Sequence, residues 1–154
     1  MPYVLLTALM AVISGSSAPR TIQRIESELN DFHDAAARAD EVRYFGHFTQ
    51  EAVFLGTDAG ERWTRAQFQT YAHARFRTGQ GWTYTPEKRH VTLAADGKTA
   101  WFDEVVRSVK CGPCRGSGVL VHEGGRWKIA QYNLTVPIPN DLLPRVVELI
   151  KTAK

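Results

Sequence analysis

The chain has no concentration of charge of either sign. Its 19 Lys and Arg against 16 Asp and Glu leave a formal net charge of +3, and the basic residues are scattered along the sequence. Phosphate backbones are held by a concentrated basic patch, so nucleic acid is not an expected partner. No lysine-rich amphipathic helix points to a membrane surface. There is no glycine-rich phosphate loop, no serine-centred nucleophile elbow and no metal-binding histidine pair, which sets aside nucleotide-dependent chemistry and covalent hydrolysis. Only two cysteines occur. Two thiols do not complete a tetrahedral zinc site and no His lies at ligand spacing, so neither a metal nor a cofactor is expected. His33, His47, His73 and His122 are isolated in sequence and read as structural or exposed.

The first nineteen residues contain no Asp, Glu, Lys, Arg or His. Val4 to Ile13 is an apolar run, followed by the small residues Ser14-Gly15-Ser16-Ser17-Ala18. The run is shorter than the roughly 20 residues a bilayer span needs, so no stable membrane span is expected. Its layout is that of a cleavable leader over residues 1–18. The expected location is therefore periplasmic or secreted, the alternative being a cytoplasmic protein with an apolar extension. Residues 19–154 then form one domain, long enough for a core without staples. The 44% apolar and 23% charged composition is that of a globular chain.

Periodicity gives the elements. Ile22, Ile25, Leu29, Phe32, Ala36 and Ala39 recur at spacings of three and four, which predicts a helix over 21–39. A short helix is expected near 40–48, a strand at Ala52-Val53-Phe54-Leu55, and a third helix N-capped by Thr64. From Trp82 the chain reads as strands. Asp96-Gly97 suits a two-residue type I′ turn, which pairs Val91 with Phe102 and Arg89 with Glu104. Gly124-Gly125 likewise pairs Leu120 with Ile129, Gly118 with Gln131 and Gly116 with Asn133. By alternation, Gln131 and Asn133 then share a face with Leu120 and Ile129, opposite two glycines that leave space above the sheet. The other face, carrying Val119 and Val121, is also apolar and is expected to bind a second copy of the chain. A closing helix is expected over 142–151.

The order of these elements, a long helix, a short helix, a strand, a helix and then long antiparallel strands, resembles the nuclear-transport-factor-2-like superfamily. Five segments look most like its SnoaL-like branch: Tyr44-Phe45-Gly46-His47-Phe48, the run Ala52 to Asp58, Glu61-Arg62-Trp63, Trp101-Phe102-Asp103-Glu104, and the run Gly125 to Gln131. The likeness covers Thr21 to Asp141. It implies an α+β cone, a strongly curved antiparallel sheet packed against N-terminal helices, with a deep pocket at its open end and frequent homodimers. The superfamily includes cyclases, isomerases, dehydratases, epoxide hydrolases and noncatalytic domains, so fold alone does not name a chemistry.

Within such a cone, Asp58 is a candidate general base if its carboxyl is enclosed by Trp63, Phe54 and Tyr44; the alternative is an Asp that shapes a turn. Glu104 is the second candidate catalytic carboxylate. Paired with Arg89 on an apolar face, it is either a buried ion pair or a ligand anchor. Tyr44, Phe48, Phe54, Trp63, Arg89, Phe102, Gln131 and Asn133 are the expected ligand-binding set. Its aromatic content favours a small apolar or ring-containing molecule. Cys111-Gly112-Pro113-Cys114 spells a thioredoxin-type motif, but strand-forming residues follow it rather than a helix. The pair is expected to close a disulfide across a turn in an oxidising compartment. Three readings stand: a binding pocket, a cofactor-free enzyme using a pocket carboxylate, and an interaction module with a filled cone.

Overall fold

The computed structural model describes residues 18–153. The leader expected over 1–18 lies, but for Ala18, outside the described residues. No helix among the described residues is long and apolar enough to cross a membrane. Three helices come first: α1 (Ala18–Ala37), α2 (Glu41–Gly46) and, after two strands, α3 (Arg65–Phe76). The strands are β1 (Phe48–Leu55), β2 (Arg62–Thr64), β3 (Thr85–Leu93), β4 (Thr99–Ser108), β5 (Gly112–Glu123) and β6 (Arg126–Thr135), and α4 (Leu143–Thr152) ends the chain. All six strands form one sheet in the order β2-β1-β6-β5-β4-β3. Only the β1–β6 pair is parallel.

The stripe on α1 does what its spacing requires. Ile25, Leu29, Phe32 and Ala36 are buried against the concave face of the sheet, while Arg24 and Ser27 are exposed. Asp40 caps α2 by accepting the Arg43 backbone N–H at 3.1 Å. Thr64 caps α3, accepting from the Gln67 N–H, while the Gln67 side chain accepts from the Thr64 N–H at 3.0 Å. His47 sits buried between α1 and β1, with Nδ1 2.9 Å from Glu28 and Nε2 2.9 Å from Asp31. These contacts tie α1 to the junction between α2 and β1.

The β3–β4 register agrees with expectation: Arg89 faces Glu104 and Val91 faces Phe102. Its turn does not. Only Gly97 takes a positive φ (65°), and the Gly97 N–H bonds Ala94 O at 3.0 Å, so the loop is a four-residue turn rather than type I′. Asp96 closes it by accepting the N–H groups of Lys98 and Thr99. The register survives because the wider loop adds one residue to each side. Gly124 and Gly125 both have positive φ, as a type I′ turn demands.

The β5–β6 register follows the turn only as far as Leu120↔Ile129. There β6 carries one extra residue, Ala130, and pairing resumes with Val119↔Gln131, Gly118↔Tyr132 and Gly116↔Leu134. A one-residue slip exchanges the two faces of a strand. Gln131 is therefore exposed and Asn133 half-buried on the convex side, and Tyr132 and Leu134 turn into the core. The expected inward projection of Gln131 and Asn133 is corrected on this point. The two glycines relieve different contacts from those expected. A Cβ on Gly116 would stand 2.3 Å from the Tyr132 hydroxyl, and one on Gly118 would stand 2.1 Å from the Gln131 carbonyl at the bulge.

The last helix also departs from expectation. No residue of α4 is buried, and Leu143, Val147, Leu149 and Ile150 are exposed, so it does not close the cone. The capping box gives a direct check on the local reasoning. Thr64→Ala is expected to cost about 1 kcal/mol, read as a lower urea midpoint at unchanged slope.

Candidate functional site

At the core of the cone lies a buried ionic cluster. Glu104 projects inward from β4 because the strand alternates strictly, with Phe102 and Val106 on the same side, and it is 1% exposed. His33 reaches it from α1: Nε2–H donates to Glu104 Oε1 at 2.7 Å. The Tyr132 hydroxyl donates to the same oxygen at 3.0 Å. Arg89, opposite Glu104 across the β3–β4 pair, donates Nε–H to Oε2 at 2.8 Å, and its Nη2 lies 2.7 Å from the same atom. Arg89 Nη1 donates outward to Asn30 Oδ1 at 2.8 Å and Glu26 O at 3.2 Å. A buried carboxylate is tolerated only when paired and hydrogen-bonded, and this one is met on both oxygens.

Burial pushes the Glu104 carboxyl up. The His33 hydrogen bond and charge and the adjacent Arg89 guanidinium outweigh it and hold the group below the ordinary carboxylate range. Burial, then the neighbouring Glu104 charge, holds the Tyr132 phenol well above its usual value, so it remains a donor. Gly116 is part of the cluster: any side chain there would collide with the Tyr132 hydroxyl and with Glu104 Oε1.

Beside this cluster opens a cavity of about 240 Å3. His33 and Tyr132 stand in its wall; Glu104 and Arg89 lie behind them. Among the described residues no group bonds His33 Nδ1, and the His33 residue stands in the cavity wall. The other walls are aromatic. Phe54 and Phe68 stack at 3.9 Å and 15°, Trp63 and Phe68 at 5.4 Å and 20°, and Tyr71 and Trp82 at 6.4 Å and 8°. Glu61, Arg75 and Lys110 supply charge, and Arg75 lies over the Trp82 ring at 5.4 Å. Tyr84, also in the wall, is pushed up to about 12 by burial and by the neighbouring Cys111 and Cys114.

The residues named from sequence divide. Tyr44, Phe54 and Trp63 line the cavity. Phe48 and Phe102 are packed in the core, and Arg89 serves Glu104 rather than the cavity. Gln131 and Asn133 are on the other side of the sheet. Asp58 is exposed on the β1–β2 turn, where its carboxylate accepts the Gly60 N–H at 2.8 Å, so it shapes the loop and stands outside the cavity wall. Glu104 is inside, but both its oxygens are engaged by protein groups. Cys111 and Cys114 stand as free thiols, Cys111 half-buried and Cys114 buried. Among the described residues, no group of three His, Cys, Asp or Glu could hold a metal.

His33 and Tyr132 were missed by sequence reasoning. His33 had a signal, since it follows Leu29 by four positions and precedes Ala36 by three on the buried side of α1. Tyr132 had none, because the bulge that turns it inward leaves no local mark.

Residues 25–139 match the family model of the SnoaL-like domain. Solved structures share the fold. A candidate scytalone dehydratase from Novosphingobium aromaticivorans is 14% identical with a TM-score of 0.68, covering 79% of this chain and 87% of that one. An NTF2-like protein of unknown function from Pseudomonas putida is 13% identical with a TM-score of 0.67, covering 82% and 93%. A candidate dehydratase of the NTF2-like family from Streptomyces avermitilis is 12% identical with a TM-score of 0.62, covering 79% and 99%. No sequence among the curated proteins matches the chain.

The buried cluster sets a stability test. Glu104→Gln leaves the Arg89 charge buried without its counter-charge, and is expected to cost about 3–5 kcal/mol in urea unfolding. Because the folded Glu104 value lies below the unfolded one, its contribution is complete above the unfolded value of about 4.3 and is lost as pH falls through the folded value. The acid limb of the wild-type stability curve is therefore expected to be steeper than that of Glu104→Gln. Equal stability of the two proteins at neutral pH would contradict a buried pair.

Proposed function

We propose that this protein, which belongs to the SnoaL-like domain family over residues 25–139, binds a small ring-containing molecule in its aromatic cavity. The observation that carries this reading is the composition of the wall: ring faces on most sides, a polar end formed by His33 and Tyr132, and charge from Glu61, Arg75 and Lys110. Pockets of this kind take apolar bodies and orient them by a few polar groups. The size suits the assignment, since an apolar cavity of about 150 Å3 holds benzene, and this one measures about 240 Å3. Naphthol titrated into the protein is expected to quench Trp emission saturably, and Trp63→Ala to weaken that binding at least tenfold. Quenching that stays linear for naphthol and for single-ring phenols would end the reading.

A second reading, proton transfer on the bound molecule, is favoured by the place of His33 in the wall and its bond to Glu104. When the ring is neutral and donates Nε2–H to Glu104, its lone pair is on Nδ1, the nitrogen with no protein partner among the described residues. Glu104 then orients the base and stabilises the imidazolium it becomes, while Arg89 balances the carboxylate. Names of similar folds that include dehydratases are compatible with this chemistry but do not carry it. Incubated with cyclohexanone in heavy water, the wild type is expected to incorporate deuterium beside the carbonyl and His33→Gln to lose that exchange. Equal exchange in both proteins would remove His33 as the base.

The protein also pairs with a second copy in this proposal, through the convex face of the sheet. Trp101 is 50% exposed there and stands opposite Val119, with Val105 and Val121 on the same side. Arg115 and Ser117 flank them. Sedimentation at micromolar concentration is expected to give a dimer, and Trp101→Lys a monomer. A monomeric wild type would refute the pairing.

A further inference from the structure

The Cys111-Gly112-Pro113-Cys114 segment has no part in binding or proton transfer as described, yet Cys111 stands in the cavity wall with Cys114 buried close by. In a regular strand, side chains three positions apart point to opposite faces. Gly112, at φ +71°, breaks that rule at the start of β5, where it faces Ser108 across the β4–β5 turn. The left-handed residue swings Cys111 back to the inner side, where it joins the cavity wall beside Lys110 and Tyr84. Cys114 projects inward from β5, is 2% exposed, and donates its S–H to Gly112 O at 3.7 Å. Cys111 packs against the same core cluster that contains Cys114. The contact is close enough that, after burial, the neighbouring Cys111 thiol is what pushes the Cys114 thiol up.

We propose that Cys111 and Cys114 form a reversible dithiol–disulfide site in the cavity wall, with Cys111 as the sulfur that meets the oxidant. The asymmetry of exposure assigns the roles: Cys111 is half-buried on the cavity, and Cys114 is enclosed behind it. No helix N-terminus stands at the first cysteine, since Gly112 opens a strand, so the chemistry is not that of a thioredoxin-type catalyst. The oxidant is a small-molecule disulfide. Cys111 yields its proton to water and its sulfur attacks one sulfur of the reagent, whose S–S bond breaks. One thiolate leaves, and a mixed disulfide stands on Cys111. Cys114 then gives up its proton and attacks the Cys111 sulfur, and the second thiol leaves. Two electrons pass from the cysteine pair to the reagent, which ends as two thiols, and the chain loses two hydrogens.

The test equilibrates the full chain with oxidised and reduced glutathione and weighs it intact. The wild type is expected to lose about 2 Da on oxidation and to regain it with excess reduced glutathione. Cys114→Ala, which keeps the buried position apolar, is expected to hold one glutathione on Cys111. Cys111→Ala is expected to stay unmodified while folded, because Cys114 is enclosed. A wild type that accumulates glutathione adducts without the internal bond would overturn the proposal. So would a Cys114→Ala protein that takes up no glutathione, or a Cys111→Ala protein that takes it up while circular dichroism shows it folded.

Discussion

The charge of Glu104, 1% exposed on the strand next to the β3 edge, is the constraint on which the rest of the interior depends. An unpaired carboxylate at that depth would be neutralised or expelled. The fold holds it by bringing groups from three other elements to its two oxygens: His33 from α1, Arg89 from β3 and Tyr132 from β6. Each contact is also a positional restraint. The His33 bond sets how α1 lies across the sheet, and the Arg89 pair locks the β3 edge to β4. The Tyr132 bond requires Gly116 on the intervening strand, because no side chain fits beneath the hydroxyl.

The same cluster gives the cavity a polar end at His33 and Tyr132. Around it, the aromatic walls come from elements far apart in sequence: Tyr44 from α2, Phe54 from β1, Trp63 from β2, Phe68 and Tyr71 from α3, and Trp82 from the link to β3. Ring stacking between Phe54 and Phe68 and between Trp63 and Phe68 packs that wall. At the polar end, the hydrogen-bonding groups have orientations already decided by Glu104. His33 is held through Nε2, and Tyr132 is kept as a donor by burial and the adjacent charge.

Much of this was legible in residues taken a few at a time. The helical stripes, the Thr64 cap, the Gly124-Gly125 hairpin and the Arg89–Glu104 pairing all follow from patterns within one element or one turn. Tyr44, Phe54 and Trp63 were identifiable as wall residues because they cluster in the segments that resemble the SnoaL-like branch. Gln131 and Asn133 went to the wrong face for a single reason, the extra residue Ala130 between Ile129 and Gln131. Asp58 failed differently: a Gly-rich turn after a strand is as good a place for an exposed Asx turn as for a catalytic carboxylate, and the Gly60 N–H took its oxygen.

By itself, then, the chain determined its elements, two hairpin registers up to the bulge, and an aromatic interior with one charged pair. These depend on side-chain periodicity and turn stereochemistry, which act over a few residues. Only the tertiary structure decided that Tyr132 faces inward, that His33 meets a carboxylate 71 positions away, and that Cys111 and Cys114 share a side. A bulge is favoured by how a bent sheet satisfies its neighbours on both edges, here β5 on one side and the parallel strand β1 on the other. Pairing between distant residues is set by the packing of whole elements, whose energies no short stretch of sequence contains.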